Sequence, residues 1–79
     1  MNYENKDEKF EKINILENAI IIFKGKLKRL FDAIQITNEG VITGFILNKE
    51  VFVENGFIPE HKIIRIEGGI KKEIYKRKY

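Results

Sequence analysis

The 79-residue sequence has no cysteine, no serine and no tryptophan, and only one proline, Pro59, and one histidine, His61. Without cysteine there is no disulfide scaffold, and a lone histidine beside Glu60 cannot complete a metal cage, so the two usual supports of a very small core are missing. Good local packing or self-association must stabilise the chain. The same gaps remove the common nucleophiles: Thr37 and Thr43 are the only small hydroxyls, and nothing makes His61 their base. The acids are scattered, and the glycines fit no phosphate-cradling spacing. Neither an enzyme nor a bound cofactor or metal is expected. Long apolar runs are also lacking. The longest, Ala19 to Phe23, is far too short to span a bilayer, and Met1 to Asp7 contains no signal-peptide core. A cytoplasmic location and no membrane partner are expected.

What is present suits one small folded domain: 43% hydrophobic residues, 34% charged, and 15 Lys+Arg against 12 Asp+Glu for a net charge of +3. The richness in Ile, Lys and Glu resembles proteins of heat-loving, AT-rich organisms. Phe10, Ile13 and Leu16 recur at roughly helical spacing among charges, which predicts a short N-terminal helical segment over residues 1–17. From Asn18 the texture changes to β-branched runs broken by Lys24-Gly25, Asn38-Glu39-Gly40, Asn48-Lys49, Asn55-Gly56 and Gly68-Gly69. Residues 18–79 are therefore expected to form a single antiparallel β domain ending in a basic C-terminal tail. Its strands are placed near 18–23, 26–37, 41–47, 50–54, 62–67 and 71–76.

The connections in the middle are too short for parallel crossovers and predict antiparallel neighbours. A three-residue turn at Gly68, Gly69 and Ile70 would set Glu67 against Lys71, Arg65 against Glu73 and Ile64 against Ile74, making Ile64, Ile66 and Ile74 core candidates. Five or six such strands expose edges unless they curl. The expected fold is thus mainly β (α+β), a small, strongly bent antiparallel sheet or barrel with a short N-terminal helix.

Charge is polarised along the chain. Residues 24–32 hold Lys24, Lys26, Lys28 and Arg29 against Asp32; residues 71–79 hold five cations against Glu73, with Tyr75 and Tyr79 interleaved; Glu39, Glu50, Glu54 and Glu60 make the middle acidic. On a strand, Lys24, Lys26 and Lys28 would share one face as a row of cations about 7 Å apart, close to the phosphate repeat of an extended single strand. A solvated, aggregation-resistant edge would use the same residues. The C-terminal run suits either phosphate attraction with base stacking or a solubilising tail. Pro59 cannot donate to a ladder, so the chain should leave a strand there, turn once and re-enter a strand at Lys62 or Ile63, with His61 at a rim beside Lys62 and near Arg65. A histidine so placed either donates to a phosphate, which favours the imidazolium, or satisfies the turn.

Ile58-Pro59-Glu60-His61-Lys62-Ile63 resembles the Ile-Pro-X-His-Arg-Ile hallmark of the archaeal RNA cyclic-group end recognition domains, with Lys in place of Arg. Gly68 to Tyr75 is similar to the closing hairpin of that family, and Ala19 to Gly25 followed by Lys28 to Ile34 to its upstream strand and basic turn. The stretch between Ile36 and Phe57 reads as longer than in the family, and the usual tryptophan has no counterpart. The resemblance implies binding of phosphate-bearing RNA termini, with His61 and Lys62 as contacts and Lys24 as a weaker one. A second resemblance, to Sm-like and Hfq-like proteins, rests on the helix-then-five-strands order, Phe31-Asp32 and Ile64 to Ile70. It implies a ring of subunits on single-stranded RNA.

The combined expectation is an RNA-binding module with contacts from His61, Lys62, Arg65, Lys24, Lys26, Lys28 and Arg29. Its partners would be RNA, copies of itself in a homo-oligomer, and an RNA-processing protein. The competing class is an assembly module that pairs an exposed edge near residues 41–54 with another chain.

Overall fold

Asn48 and Lys49 both take left-handed backbone angles (φ 52° and 62°) at the centre of a tight turn, closed by the Glu50 N–H, which donates to the Leu47 carbonyl at 3.1 Å. In the computed structural model, which describes residues 9–78, this turn joins β3 (Gly40–Leu47) to β4 (Val51–Pro59). A second turn is organised by Thr37, whose Oγ1 accepts from the backbone N–H groups of Glu39 and Gly40; it joins β2 (Lys28–Ile36) to β3. A third, at Lys24 to Leu27, joins β1 (Phe10–Phe23) to β2. All three connections are antiparallel, as their lengths require. A 3₁₀ turn, Glu60–Lys62, then leads into β5 (Ile63–Arg77).

β5 closes the structure into a five-stranded barrel. It runs antiparallel to β1 from Ile63 opposite Phe23 to Arg77 opposite Phe10, and its far end meets β4, with Val51 opposite Tyr75 and Phe52 opposite Lys76. This last pairing is parallel, so the sheet is mixed rather than wholly antiparallel. No separate crossover is needed, because the length of β5 itself carries the chain back to the start of β4.

Two expectations fail for one reason. Residues 10–17 are strand rather than helix, and Gly68-Gly69 lies within a continuous β5 rather than in a hairpin. Each segment satisfies its backbone on the other: Ile13 faces Ile74, and Ile21 faces Ile66. A short isolated helix would be marginal and would leave this edge of β5 without partners. Residues 1–8 of the expected helix lie outside the described residues. The predicted pairing of Ile64 with Ile74 is likewise replaced, and Ile64 is 49% exposed. Ile74 is buried and Ile66 half-buried, as expected of core residues.

The glycines mark a kink. Asn18 (φ 58°) on β1 and Gly68 and Gly69 (φ 69° and 92°) on β5 are left-handed at the same level of the ribbon. There the two strands exchange faces. Ile13 and Ile15 pack in one cluster with Ala33, Phe52 and Ile74, whereas Leu16, Ala19, Ile21 and Phe23 join a second with Ile34, Val41 and Ile66. Ile15 and Ala19 would share a face on a regular strand; the kink separates them. Each fully buried isoleucine, such as Ile21 and Ile34, stabilises the fold by about 2–3 kcal/mol.

Lys76 is not part of a solvated tail. Its side chain is only 13% exposed, donates to Gln35 Oε1 of β2 at 2.9 Å, pairs with Glu54 of β4 at 3.3 Å and stands over the Phe52 ring at 5.8 Å. Lys72 is bound to Glu17 at 2.7 Å. Hence much of the C-terminal charge fastens strands together. The expected stacking role of Tyr79 lies outside the described residues.

Two stability tests follow from this arrangement. A Cβ added at Gly69 would lie 3.1 Å from that of Leu16, while one at Gly25, also at φ 92°, would meet nothing within 4 Å. Gly25→Ala should cost about 1 kcal/mol of backbone strain and Gly69→Ala up to about 3 kcal/mol, read from urea unfolding midpoints. Lys76→Ala should cost about 2–3 kcal/mol, and Lys76→Met, which keeps the apolar stem, distinctly less.

Candidate functional site

Pro59 ends β4 in extended geometry (φ −61°, ψ 146°), where a missing N–H does no harm to the ladder, and the 3₁₀ turn begins at once. This turn is held from both sides. The Glu60 N–H donates to the Glu39 carbonyl in the β2–β3 turn at 3.0 Å, and the Lys62 carbonyl accepts from the Lys24 N–H in the β1–β2 turn, also at 3.0 Å. Two basic segments nearly forty positions apart in sequence are thereby fixed side by side. His61 lies at the middle of the turn, exposed to solvent.

Beside this turn the barrel opens into a cavity of about 510 Å³. Its apolar floor continues the second core cluster through Phe23, Phe31 and Ile58, and Leu30, Phe57 and Pro59 complete its apolar wall. Arg29 and Lys62 line it from opposite segments, with Asp32 as the one carboxylate among them. The Arg29 guanidinium stands over the Phe31 ring at 5.4 Å, a cation–π contact that orders the charge without neutralising it. Two cations against one acid, over aromatic rings, suit an anionic ligand that also carries a flat apolar part.

The other predicted contacts are distributed differently. Lys24 and Lys26 occupy the β1–β2 turn, Lys26 at φ 70°, and only Lys28 and Arg29 begin a strand, so no three-lysine row forms. Lys24, Lys26, Lys28 and His61 do not line the cavity. Arg65 belongs to a separate groove with Ile36, Gly40 and Ile64, and its Nε donates to Glu67 Oε2 at 2.8 Å. Its charge is already partnered.

Sequence reasoning missed the polar centre of the cavity. Asn55-Gly56 was expected to be a turn; instead it is a bulge within β4, where Gly56 faces Thr43, Glu54 faces Gly44 and Asn55 is the extra residue. The bulge aims Asn55 Oδ1 at the buried Thr43 hydroxyl, which donates to it at 2.9 Å. The Asn-Gly pair was the available signal, since it marks bulges as well as turns. A Cβ at Gly56 would fall 2.8 Å from Thr43 Oγ1. Gly56→Ala should displace the hydroxyl, cost about 1–2 kcal/mol in urea unfolding and shift the Asn55 side-chain amide resonances more than those of Asn14.

No family model, curated protein or solved structure matches this chain.

Proposed function

We propose that the protein is a single-stranded RNA-binding module that seats the strand across the open mouth of its barrel. The observation that carries this reading is the convergence of Arg29 and Lys62 on one aromatic-lined cavity, with the turn bearing Lys24 bonded to the turn bearing Lys62. Phosphates would be held by Arg29 and Lys62 and attracted by Lys24, while exposed Phe57 offers a ring for a base. The finer reading is recognition of a phosphate-bearing RNA end by His61 next to Lys62. It draws on the resemblance of Ile58 to Ile63 to the end-recognition motif and on the exposure of the imidazole in the turn next to Lys62. Arg65, paired with Glu67, contributes less than the sequence pattern suggested.

A second reading, assembly by strand pairing, draws on the edges of the sheet. Most of residues 41–54 is paired within the barrel, but beyond Phe52 the outer edge of β4 pairs with no strand among the described residues. The ring-forming Sm-like alternative would use such an edge between subunits. Light scattering separates the three: a monomer fits end recognition, a hexamer or heptamer fits the ring, and a dimer without RNA affinity fits assembly.

Binding of RNA oligonucleotides ending in 2′,3′-cyclic phosphate, 3′-phosphate or 3′-hydroxyl should weaken steeply with salt, about 0.7 logarithmic units per phosphate held. Arg29→Ala and Lys62→Ala should each lower affinity and reduce the slope by about 0.7. His61→Ala should remove the preference among the three ends while leaving binding in place. Absent or salt-insensitive binding would refute the reading.

A further inference from the structure

An acid in a mouth that holds a polyanion works against binding unless it does something else there. Asp32 lines the cavity with Arg29 and Lys62, is exposed, and has no ion-pair partner among the described residues. Thr43 and Asn55 supply the complementary chemistry. Because Asn55 Oδ1 takes the Thr43 hydroxyl, the amide nitrogen of Asn55, a residue that lines the same cavity, is left to act as a donor. A carboxylate on β2 and an amide donor on β4 lining one cavity ask for a ligand with adjacent N–H donors and a carbonyl.

Among the four RNA bases, guanine alone offers two neighbouring N–H groups, N1–H and N2–H, that a carboxylate can accept in parallel, with the O6 carbonyl beside them as an acceptor. Single-stranded RNA is read in this way, by splaying a base onto an aromatic ring and bonding its Watson–Crick edge. Phe57 and Phe31 provide rings, and the cavity volume lies within the about 300–1,000 Å³ usual for small-ligand sites. We infer that the barrel mouth takes one unstacked guanine, whose edge is read by Asp32 and Asn55 while Arg29 and Lys62 hold its phosphate. This rests on the RNA-binding reading above and adds base selectivity to it.

The test uses labelled nonamers of uridine, of cytidine, and of uridine with one central guanosine, at two salt concentrations, together with free guanosine monophosphate. The guanosine-bearing strand should bind about tenfold more tightly than either homopolymer. Asp32→Asn should act with opposite signs, weakening the guanosine strand while strengthening the homopolymers by removing a repelling charge. Thr43→Val, which frees the Asn55 amide to turn over, should narrow the preference. Equal binding of all three strands with a normal salt slope would overturn guanine selectivity and leave the RNA reading standing. Free guanosine monophosphate binding as tightly as the strand would keep the guanine site and overturn the RNA reading. A uniform rise for every strand in Asp32→Asn would show the acid to be merely repulsive and end the inference.

Discussion

The pairing of β1 with β5 along their whole length is the constraint on which the rest of the molecule depends. Two strands of fourteen and fifteen residues are too long to stay on one side of a small core, because a twisted ribbon soon carries its side chains away from any single cluster. The kink at Asn18, Gly68 and Gly69 solves this by resetting which side chains point where. One half of the ribbon then covers Phe52 and Ala33, the other covers Ile34 and Val41. A chain without cysteine thus obtains two small clusters from a single sheet, and Lys76 ties β2, β4 and β5 together at one of them.

The same ribbon sets the position of the candidate site. Where β1 ends at Phe23 and β5 begins at Ile63, the two connecting turns are brought together, and the bond from Lys24 to Lys62 follows. The mouth is therefore built from backbone geometry first. Of its charges, Lys62 lies on a turn held by main-chain hydrogen bonds on either side, including that between Glu60 and Glu39, and Arg29 lies at the start of β2, next to the turn bonded to that one. This form of preorganisation limits the ordering cost of binding for a ligand that touches both turns.

How much of this could be read in the sequence depends on the range of the interaction involved. The β2 and β3 strands and the first half of β4 were legible because Asn38-Glu39-Gly40 and Asn48-Lys49 act locally, through short loops and, at Asn48 and Lys49, left-handed backbone. Phe10, Ile13 and Leu16 misled because their helical spacing is accidental; Ile13 and Ile15 are held by partners some sixty positions away. Gly68-Gly69 has the chemistry of a turn, but two glycines at positive φ also suit a kink when a strand lies alongside. For the site, Arg29 and Lys62 could be named from charge and from the proline bend. Thr43 and Asn55 could not be joined without knowing that a bulge sits opposite Thr43, and Arg65 lies in a separate groove, where its Nε donates to Glu67 two residues on.

The length of the β1–β5 pairing has a consequence for synthesis. β1 is made first among these strands and β5 last, so while the chain grows on the ribosome one entire edge of β1, including Ile20, Ile21 and Ile22, has no backbone partner. Contacts this distant in sequence form slowly. Until they form, the open apolar edge is a template for the same strand of a neighbouring nascent chain, so crowded polysomes are where this fold is most exposed to mispairing.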